Sequence, residues 1–345
     1  MRRALLSLLL LTSAALTACS FNIDSMIFNA RHCSIVGPET CEDEEEYWDR
    51  ICVTCDEEYD WTLDYEWQDT TLTAGQTVRA IDPDTVENVS LPTVDGLGEL
   101  DVYFFPAHGD RADLENTLIL QNHGNFASIE HYAVRTRYFH EYGADVLVWD
   151  YRGYGKSEPE TTPSAPQFMA DAAQILEYAG EIADDPSKIV LYGQSVGAIP
   201  AVEQAVLGEA GSAGAADPCA LILETPFTST SEIARSISGV SMPGGFLSTG
   251  YFENDVKLTN YTGPLLAISA GNEDRFPREG VQVLVDAAAG PTTHWFHEDA
   301  YHGLASGGVP EQGLTEYFDQ LDAFFDAQGP DCLSDAGGTD DESSD

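Results

Sequence analysis

Residues 188–198, Lys-Ile-Val-Leu-Tyr-Gly-Gln-Ser-Val-Gly-Ala, constrain this chain more than any other stretch. Residues 188–192 are a short apolar run of strand type, and residues 198–207 are rich in alanine and valine, as a packed helix would be. Ser195 therefore stands at a strand-to-helix junction between Gly193 and Gly197, in a G-x-S-x-G pattern. A sharp turn there lifts the serine above the sheet edge, and the flanking glycines let strand and helix approach closely. Such a turn exposes a nucleophile. As a bare pattern it also describes a strand-helix turn with an idle serine, so the surrounding chain has to decide.

From about residue 86 strand and helix signals alternate. Residues 87–91 and 99–105 are strand-like runs joined through Val94-Asp95-Gly96, a hairpin signal. Apolar runs follow at 117–121, 145–149, 188–192, 220–223, 264–269 and 293–296. Between them lie helix-like stretches at 128–142, 166–183, 198–207 and 278–289. A last helix carries Leu314, Tyr317, Phe318, Leu321, Phe324 and Phe325 at helical spacing. This alternation predicts an α/β fold, with a mostly parallel central sheet, helices on both faces and an antiparallel N-terminal hairpin. The expected organisation is a signal peptide at 1–18, an acidic cysteine-rich extension at 19–85, the α/β domain at 86–328 and an acidic, disordered tail at 329–345.

Charge and cysteines bound the setting. The 59 acidic and 15 basic residues give a formal charge of -44, which repels nucleic acid and anionic headgroups. Met1-Arg2-Arg3, an apolar run over 4–11 and small residues up to Ala18 have the three regions of a secretory signal. Leu16-Thr17-Ala18-Cys19 resembles the lipobox of bacterial lipoproteins, implying cleavage before Cys19, lipidation of its thiol and a membrane anchor facing the periplasm or cell surface; plain secretion is the alternative. Removing residues 1–18 takes two arginines and no acid, so -44 becomes -46. The remaining Cys33, Cys41, Cys52, Cys55, Cys219 and Cys332 are an even set in an exported chain and read as three disulfides. The first four would staple the extension and Cys219 with Cys332 would tie down the tail, although Cys52-x-x-Cys55 could instead be half of a zinc site.

In such a sheet the chemistry collects at the carboxyl ends of the strands. After residues 117–121 comes Asn122-His123-Gly124-Asn125-Phe126, which can turn a backbone N–H toward an oxyanion, with Val196 as the second donor. His123 reads as a brace for that loop. After 145–149 comes Asp150-Tyr151-Arg152-Gly153-Tyr154-Gly155-Lys156-Ser157. A phosphate loop would need glycine where Asp150 stands, and a dinucleotide loop would need it at Glu158, so Asp150 and Arg152 are expected to pair and hold the loop. A serine nucleophile needs a base and an acid to orient that base, later in the chain. His302 supplies the base on a late loop, His294 and His297 being structural. Asp274, in a G-x-x-D turn, is the preferred acid over Glu224 and Glu273.

HGN, DYRGYGKS, GQSVG, ETPFTS, GNED and YHG stand here in the order found in the α/β-hydrolase superfamily. Over about residues 86–328 the chain most resembles its prolyl-peptidase-type and protein-depalmitoylating α/β-hydrolase-domain branch. The resemblance implies a triad of Ser195, Asp274 and His302, and an oxyanion hole from the Val196 N–H with that of Asn125 or Phe126. It departs from the family in that the turn after Asp274 is one residue shorter than the usual D-x-x-V-P form. The implied reaction is cofactor-free hydrolysis of a small-molecule or acyl ester or thioester through an acyl-enzyme. A peptidase on the same scaffold and an inactive surface-binding lipoprotein are the rivals, and no oligomeric state follows. Residues 226–262, with Met242 to Leu247, read as a short lid or pocket wall.

With lysine only at positions 156, 188 and 257, this surface resembles those adapted to salt. Its thermal midpoint is expected to rise as sodium chloride is added; a midpoint that is flat or falling with salt would sink that reading.

Overall fold

The structure, a computed structural model, describes residues 27–28, 30, 32, 70–71, 76–125, 128–212, 214–238, 251–303 and 308–333. Eight strands form one sheet: β1 (Glu87–Pro92), β2 (Glu99–Phe105), β3 (Leu118–Asn122), β4 (Asp145–Trp149), β5 (Ile189–Gln194), β6 (Ala220–Glu224), β7 (Leu265–Ala270) and β8 (Thr292–His297). Their order is β8-β7-β6-β5-β3-β4-β2-β1. β1 pairs antiparallel with β2, from Glu87↔Phe104 to Pro92↔Glu99, and β2 is antiparallel to β4. The remaining neighbours are parallel. This is the mostly parallel sheet with an antiparallel N-terminal hairpin that the alternation predicts, in the α/β-hydrolase arrangement that the resemblance implies.

The helices are α1 (Ile129–Tyr142), α2 (Ala165–Ile182), α3 (Ala198–Glu209), α4 (Thr230–Ser238), α5 (Asn254–Lys257), α6 (Arg278–Ala287), α7 (Val309–Gln312) and α8 (Leu314–Gln328). Strand periodicity sorts them onto two faces. In β5, Ile189 and Leu191 join a core with Phe168, Ala172 and Leu176 of α2, Ile199 and Val202 of α3, and Leu284 of α6. Val190 and Tyr192 face the other way, into a core with Ile129 and Phe139 of α1 and Tyr317, Leu321 and Phe324 of α8. With both faces covered, β3, β5, β6 and β7 are buried along their whole length, which is why they read as mainly apolar runs rather than alternating ones. The edge strand β1 has no such cover, and its residues are exposed or half-buried.

The described parts of the N-terminal extension pack onto this domain. Phe28 lies 4.7 Å from the ring of Phe168 and 6.0 Å from that of Phe252, and His32 bridges to Gly155. Thr70–Thr71 and Thr77–Val78 form a short antiparallel ladder, with Val78 packed against Tyr138 and Leu314. Cys219 and Cys332 form the expected disulfide. The tail is thereby ordered through Leu333: Cys332 is fully buried, and Thr117 Oγ1 donates to its carbonyl at 2.7 Å. Cys19, Cys33, Cys41, Cys52 and Cys55, the segment 242–247 and the tail beyond Leu333 lie outside the described residues. Among the described residues no helix is long and apolar enough to cross a membrane.

The Cys219–Cys332 bridge closes a long loop across the domain, so it removes much freedom from the unfolded chain. Replacing both cysteines by alanine is expected to cost about 2–4 kcal/mol of stability. The readout is the urea midpoint, and a midpoint equal to that of the wild type would contradict the expectation.

Candidate active site

Ser195 follows the last residue of β5 with φ +54°, in the left-handed region that a side chain rarely adopts. The turn Ser195–Gly197 then runs directly into α3. Close approach explains the glycines. A Cβ on Gly193 would sit 2.5 Å from the Gly197 carbonyl oxygen and 2.7 Å from the Ala201 Cβ. One on Gly197 would sit 2.1 Å from the carbonyl oxygen of Asn122 and 2.6 Å from that of His123. The turn is therefore wedged between its own helix and the loop after β3, and the serine side chain is held where it points, only 8% exposed.

His302, on the loop after β8, meets that serine. Its Nε2 is 2.9 Å from Ser195 Oγ, and its Nδ1 is 2.7 Å from Glu273 Oε2. A neutral imidazole with its proton on Nδ1 donates to the carboxylate and accepts the serine hydroxyl, the tautomer a general base requires. The ring edge of Phe276, 5.5 Å away, flanks the imidazole, and Thr225 Oγ1 donates to the His302 carbonyl at 3.0 Å. Burial pushes the Glu273 carboxyl up, but the His302 hydrogen bond and charge, together with the N–H groups of Arg275 and Phe276, outweigh it and hold it below its ordinary value. Glu273 is thus an ionised acceptor.

The acid expected at Asp274 is corrected by this geometry: the carboxylate on His302 belongs to Glu273, and Asp274 is exposed. The reason is register. β7 and the chain after β8 stay paired past the strand ends, with the Gly271 N–H bonded to the His297 carbonyl at 2.7 Å and the Asn272 N–H to the Ala300 carbonyl at 2.9 Å. The turn therefore begins at Glu273. Its Oε1 accepts the N–H of Arg275 at 2.7 Å and of Phe276 at 3.2 Å, closing the turn and leaving Oε2 for the imidazole. Counted from Pro277, Glu273-Asp274-Arg275-Phe276-Pro277 restores the length that was one residue short from Asp274. That spacing was the sequence signal for the acid.

The other candidates fall into supporting places. Glu224 is fully buried, 3.0 Å from Arg135 Nη2, and accepts Tyr192 Oη at 2.9 Å. His294 Nε2 is 2.8 Å from Ser269 Oγ, and His297 lies 4.0 Å from Glu316. His123 is buried, with Nδ1 2.7 Å from the Gly124 carbonyl, Nε2 3.2 Å from Asp150 and its ring stacked on Tyr151. The expected Asp150–Arg152 pair is replaced by two separate anchors. Arg152 forks onto Asp171 of α2 and reaches Asp95 of the β1–β2 hairpin at 2.7 Å. Asp150 instead accepts the Ile129 N–H at the start of α1 at 2.9 Å. Asn125 follows the β3 loop, its side chain accepting Tyr154 Oη at 2.6 Å and donating to the Ile27 carbonyl. Val196 lies in the first turn leading to α3, and Phe126 lies outside the described residues. Among the described residues no group of histidine, cysteine and carboxylate side chains is placed to hold a metal.

The sheet order, the left-handed serine turn and the line of hydrogen bonds from Ser195 through His302 to Glu273 define the α/β-hydrolase fold with a serine–histidine–carboxylate arrangement at its strand ends. Residues 115–245 match the family described as serine aminopeptidase, S33. The uncharacterized protein Rv2307c of Mycobacterium tuberculosis is 33% identical over 153 residues, covering 44% of this chain and 50% of that relative, so the chain spans half of its length. The esterase Pf2001 of Pyrococcus furiosus superimposes with a TM-score of 0.53 at 19% identity, over 70% of this chain and 92% of the esterase. The butyrate-bound esterase Est2 of Thermogutta terrifontis does so with a TM-score of 0.54 at 18% identity, over 73% and 97%. These two likenesses are ones of fold.

The geometry separates two adjacent carboxylates by their effect on turnover. Glu273→Gln is expected to lower kcat on an activated ester by about 10³–10⁴-fold, because the amide can hold the wrong imidazole tautomer and cannot stabilise the cation. Asp274→Asn is expected to stay within about threefold of wild type, as surface changes away from the chemistry do. Reversed effects in the two kinetic assays would return the role to Asp274.

Proposed function

We propose that this protein is a serine hydrolase of carboxylic esters, thioesters included, with Ser195 as nucleophile, His302 as general base and acid, and Glu273 as the orienting carboxylate. The single observation that carries the proposal is the imidazole bonded at once to Ser195 Oγ at 2.9 Å and to Glu273 at 2.7 Å. In this reading Ser195 Oγ attacks the substrate carbonyl carbon while His302 Nε2 takes the hydroxyl proton. The carbonyl electrons move onto the oxygen, which the Val196 N–H and an N–H of the β3 loop at Asn125 or Phe126 receive. Collapse of this intermediate expels the alcohol or thiol, which leaves with the proton from His302. Water then repeats the sequence on the acyl-enzyme, returning serine and releasing the acid.

The fold likeness to Pf2001 and Est2, both described as esterases, supports ester substrates. The family description as serine aminopeptidase favours the second reading, a peptidase with the same steps and an amine leaving group. An inactive binding protein has no use for the aligned Ser195, His302 and Glu273. We read the chain further as exported and anchored through Cys19, on the charged, apolar and small-residue order of residues 1–19.

The test is labelling by a fluorophosphonate probe. Wild-type protein is expected to be labelled and Ser195→Ala not, with both folded by circular dichroism; unlabelled wild type would end the hydrolase reading. Turnover of p-nitrophenyl esters of graded chain length, set against aminoacyl-p-nitroanilides, then separates esterase from peptidase.

A further inference from the structure

The Ser195–His302–Glu273 line leaves unused a cluster of charges buried behind it. Arg135, from the middle of α1, and Glu224, at the end of β6, have fully buried side chains. Arg135 Nη2 is 3.0 Å from Glu224 Oε1, an ion-pair contact, and its Nη1 donates a hydrogen bond to Glu224 Oε2 at 3.3 Å. The same Nη2 lies 3.5 Å from Glu311 Oε2 on α7. Tyr192 Oη at 2.9 Å and Tyr317 Oη at 3.3 Å complete the shell of Glu224. Burying an arginine and two carboxylates is expensive unless they are mutually paired, so an arrangement of this kind calls for an explanation in what it holds.

What it holds is the His302 loop, at both ends. On the near side Glu224 is followed by Thr225, in the left-handed region at φ +45°, whose Oγ1 donates to the His302 carbonyl at 3.0 Å. On the far side the loop returns at Gly308, just before α7 and Glu311. A Cβ on Gly308 would lie 2.6 Å from Glu311 Oε2, 3.3 Å from Arg135 Nη2 and 3.4 Å from the Gly303 carbonyl carbon. The two ends of the loop therefore converge on one guanidinium. Glu224 also stands opposite Gln194 in the β5–β6 register, one residue before the nucleophile. The fork is referenced to the strand that carries Ser195.

The geometry points to Arg135 as a positioning residue: by clamping Glu224 and Glu311, it fixes the entry and exit of the loop that sets His302 between Ser195 and Glu273. The inference rests on the serine-hydrolase reading and names a residue that acts through His302 without touching substrate. Arginine is needed because its planar fork can hold two carboxylates at fixed angles, where a lysine ammonium is a point charge.

The test compares wild type with Arg135→Met, Arg135→Lys and Glu311→Gln, each checked for fold by circular dichroism. Arg135→Met is expected to lower kcat on p-nitrophenyl acetate about 10–100-fold with KM within about threefold, since small displacements of a reacting group cost rate more than binding. Arg135→Lys is expected to recover part of the loss. The low-field proton resonance of His302 Nδ1–H, bonded to Glu273, is expected in wild type and weakened or lost in Arg135→Met. A folded Arg135→Met with wild-type kcat and an intact resonance overturns the inference, as does a change in KM alone. Removing the guanidinium leaves two buried carboxylates facing each other, so that variant can fail to fold. Glu311→Gln then decides: a fall in kcat of about 3–10-fold, with a weakened resonance, supports the clamp, and wild-type values overturn it. Loss of the hydrolase reading would show separately, as wild type that the fluorophosphonate does not label. The resonance comparison would still judge the clamp.

Discussion

The constraint on which the site rests is the contact of the serine turn with the loop after β3. Gly197 has no room for a side chain because the carbonyls of Asn122 and His123 occupy that space. Ser195 keeps its left-handed backbone only while strand, loop and helix stay at this separation, since such a conformation costs a residue with a Cβ about 1–2 kcal/mol. The separation is set by buried hydrogen bonds that tie the layers together. Asn122 stands opposite Gly193 in the β3–β5 register, accepts Trp149 Nε1 from β4 at 2.9 Å and donates to Gln204 of α3 at 2.9 Å. Gln204 in turn donates to the Ala172 carbonyl of α2 at 3.0 Å. One asparagine thereby connects three strands and, through Gln204, two helices, and the height of Ser195 above the sheet is a property of the whole packing.

The same logic governs the charged groups. In so acidic a chain three of the few cations, Arg135, Arg137 and Arg152, are withdrawn from the surface, and Arg135 and Arg152 are set among carboxylates. Each of these two serves a loop at the carboxyl ends of the strands. Arg152 ties the β4 loop to α2 and to the tip of the hairpin, and Arg135 ties the β8 loop to β6 and α7. The charge of their carboxylate partners is offset locally by the guanidinium groups and contributes little to the repulsive field outside. Salt can therefore screen the surface while leaving these buried pairs largely untouched.

The fold was legible in the sequence because its signals are local and redundant. Apolar runs and helical spacing marked every strand of the sheet, with ends displaced by one or two residues, and the strand-Ser195-helix pattern needed only adjacent residues. Cys219 with Cys332 was legible by a different route, from the even count of cysteines in a chain expected to be exported. The acid was not, because Asp274 and Glu273 are neighbours and the choice between them depends on how far β7 stays paired beyond its end. Local pattern favoured the aspartate in its glycine turn, whereas a long-range pairing put the glutamate at the imidazole. Arg135 had no signal of its own. It sits within the amphipathic stretch of α1, and only the closed sheet brings Glu224 and Glu311 to it. The same holds for Arg152, whose partners lie at Asp171 and Asp95 and not at the neighbouring Asp150.

Glutamate at this place changes how the imidazole of His302 is held. Glu273 spends one oxygen on the N–H groups of Arg275 and Phe276 and the other on His302, so the bond that closes the turn and the bond that orients the imidazole share a carboxylate. Rotating the carboxyl to release His302 would also open the turn, which makes the orientation stiffer than a single hydrogen bond would. The linkage to pH follows with a definite sign. Because the folded-state pKa is lowered, ionised Glu273 contributes stability that is fully present above the ordinary glutamate value. That contribution fades as pH falls through the depressed value, when the protonated carboxyl can no longer accept from both sides. Acid therefore undoes the turn and the alignment of His302 together, and the geometry of the site and the local stability of the β7 turn are lost as one event.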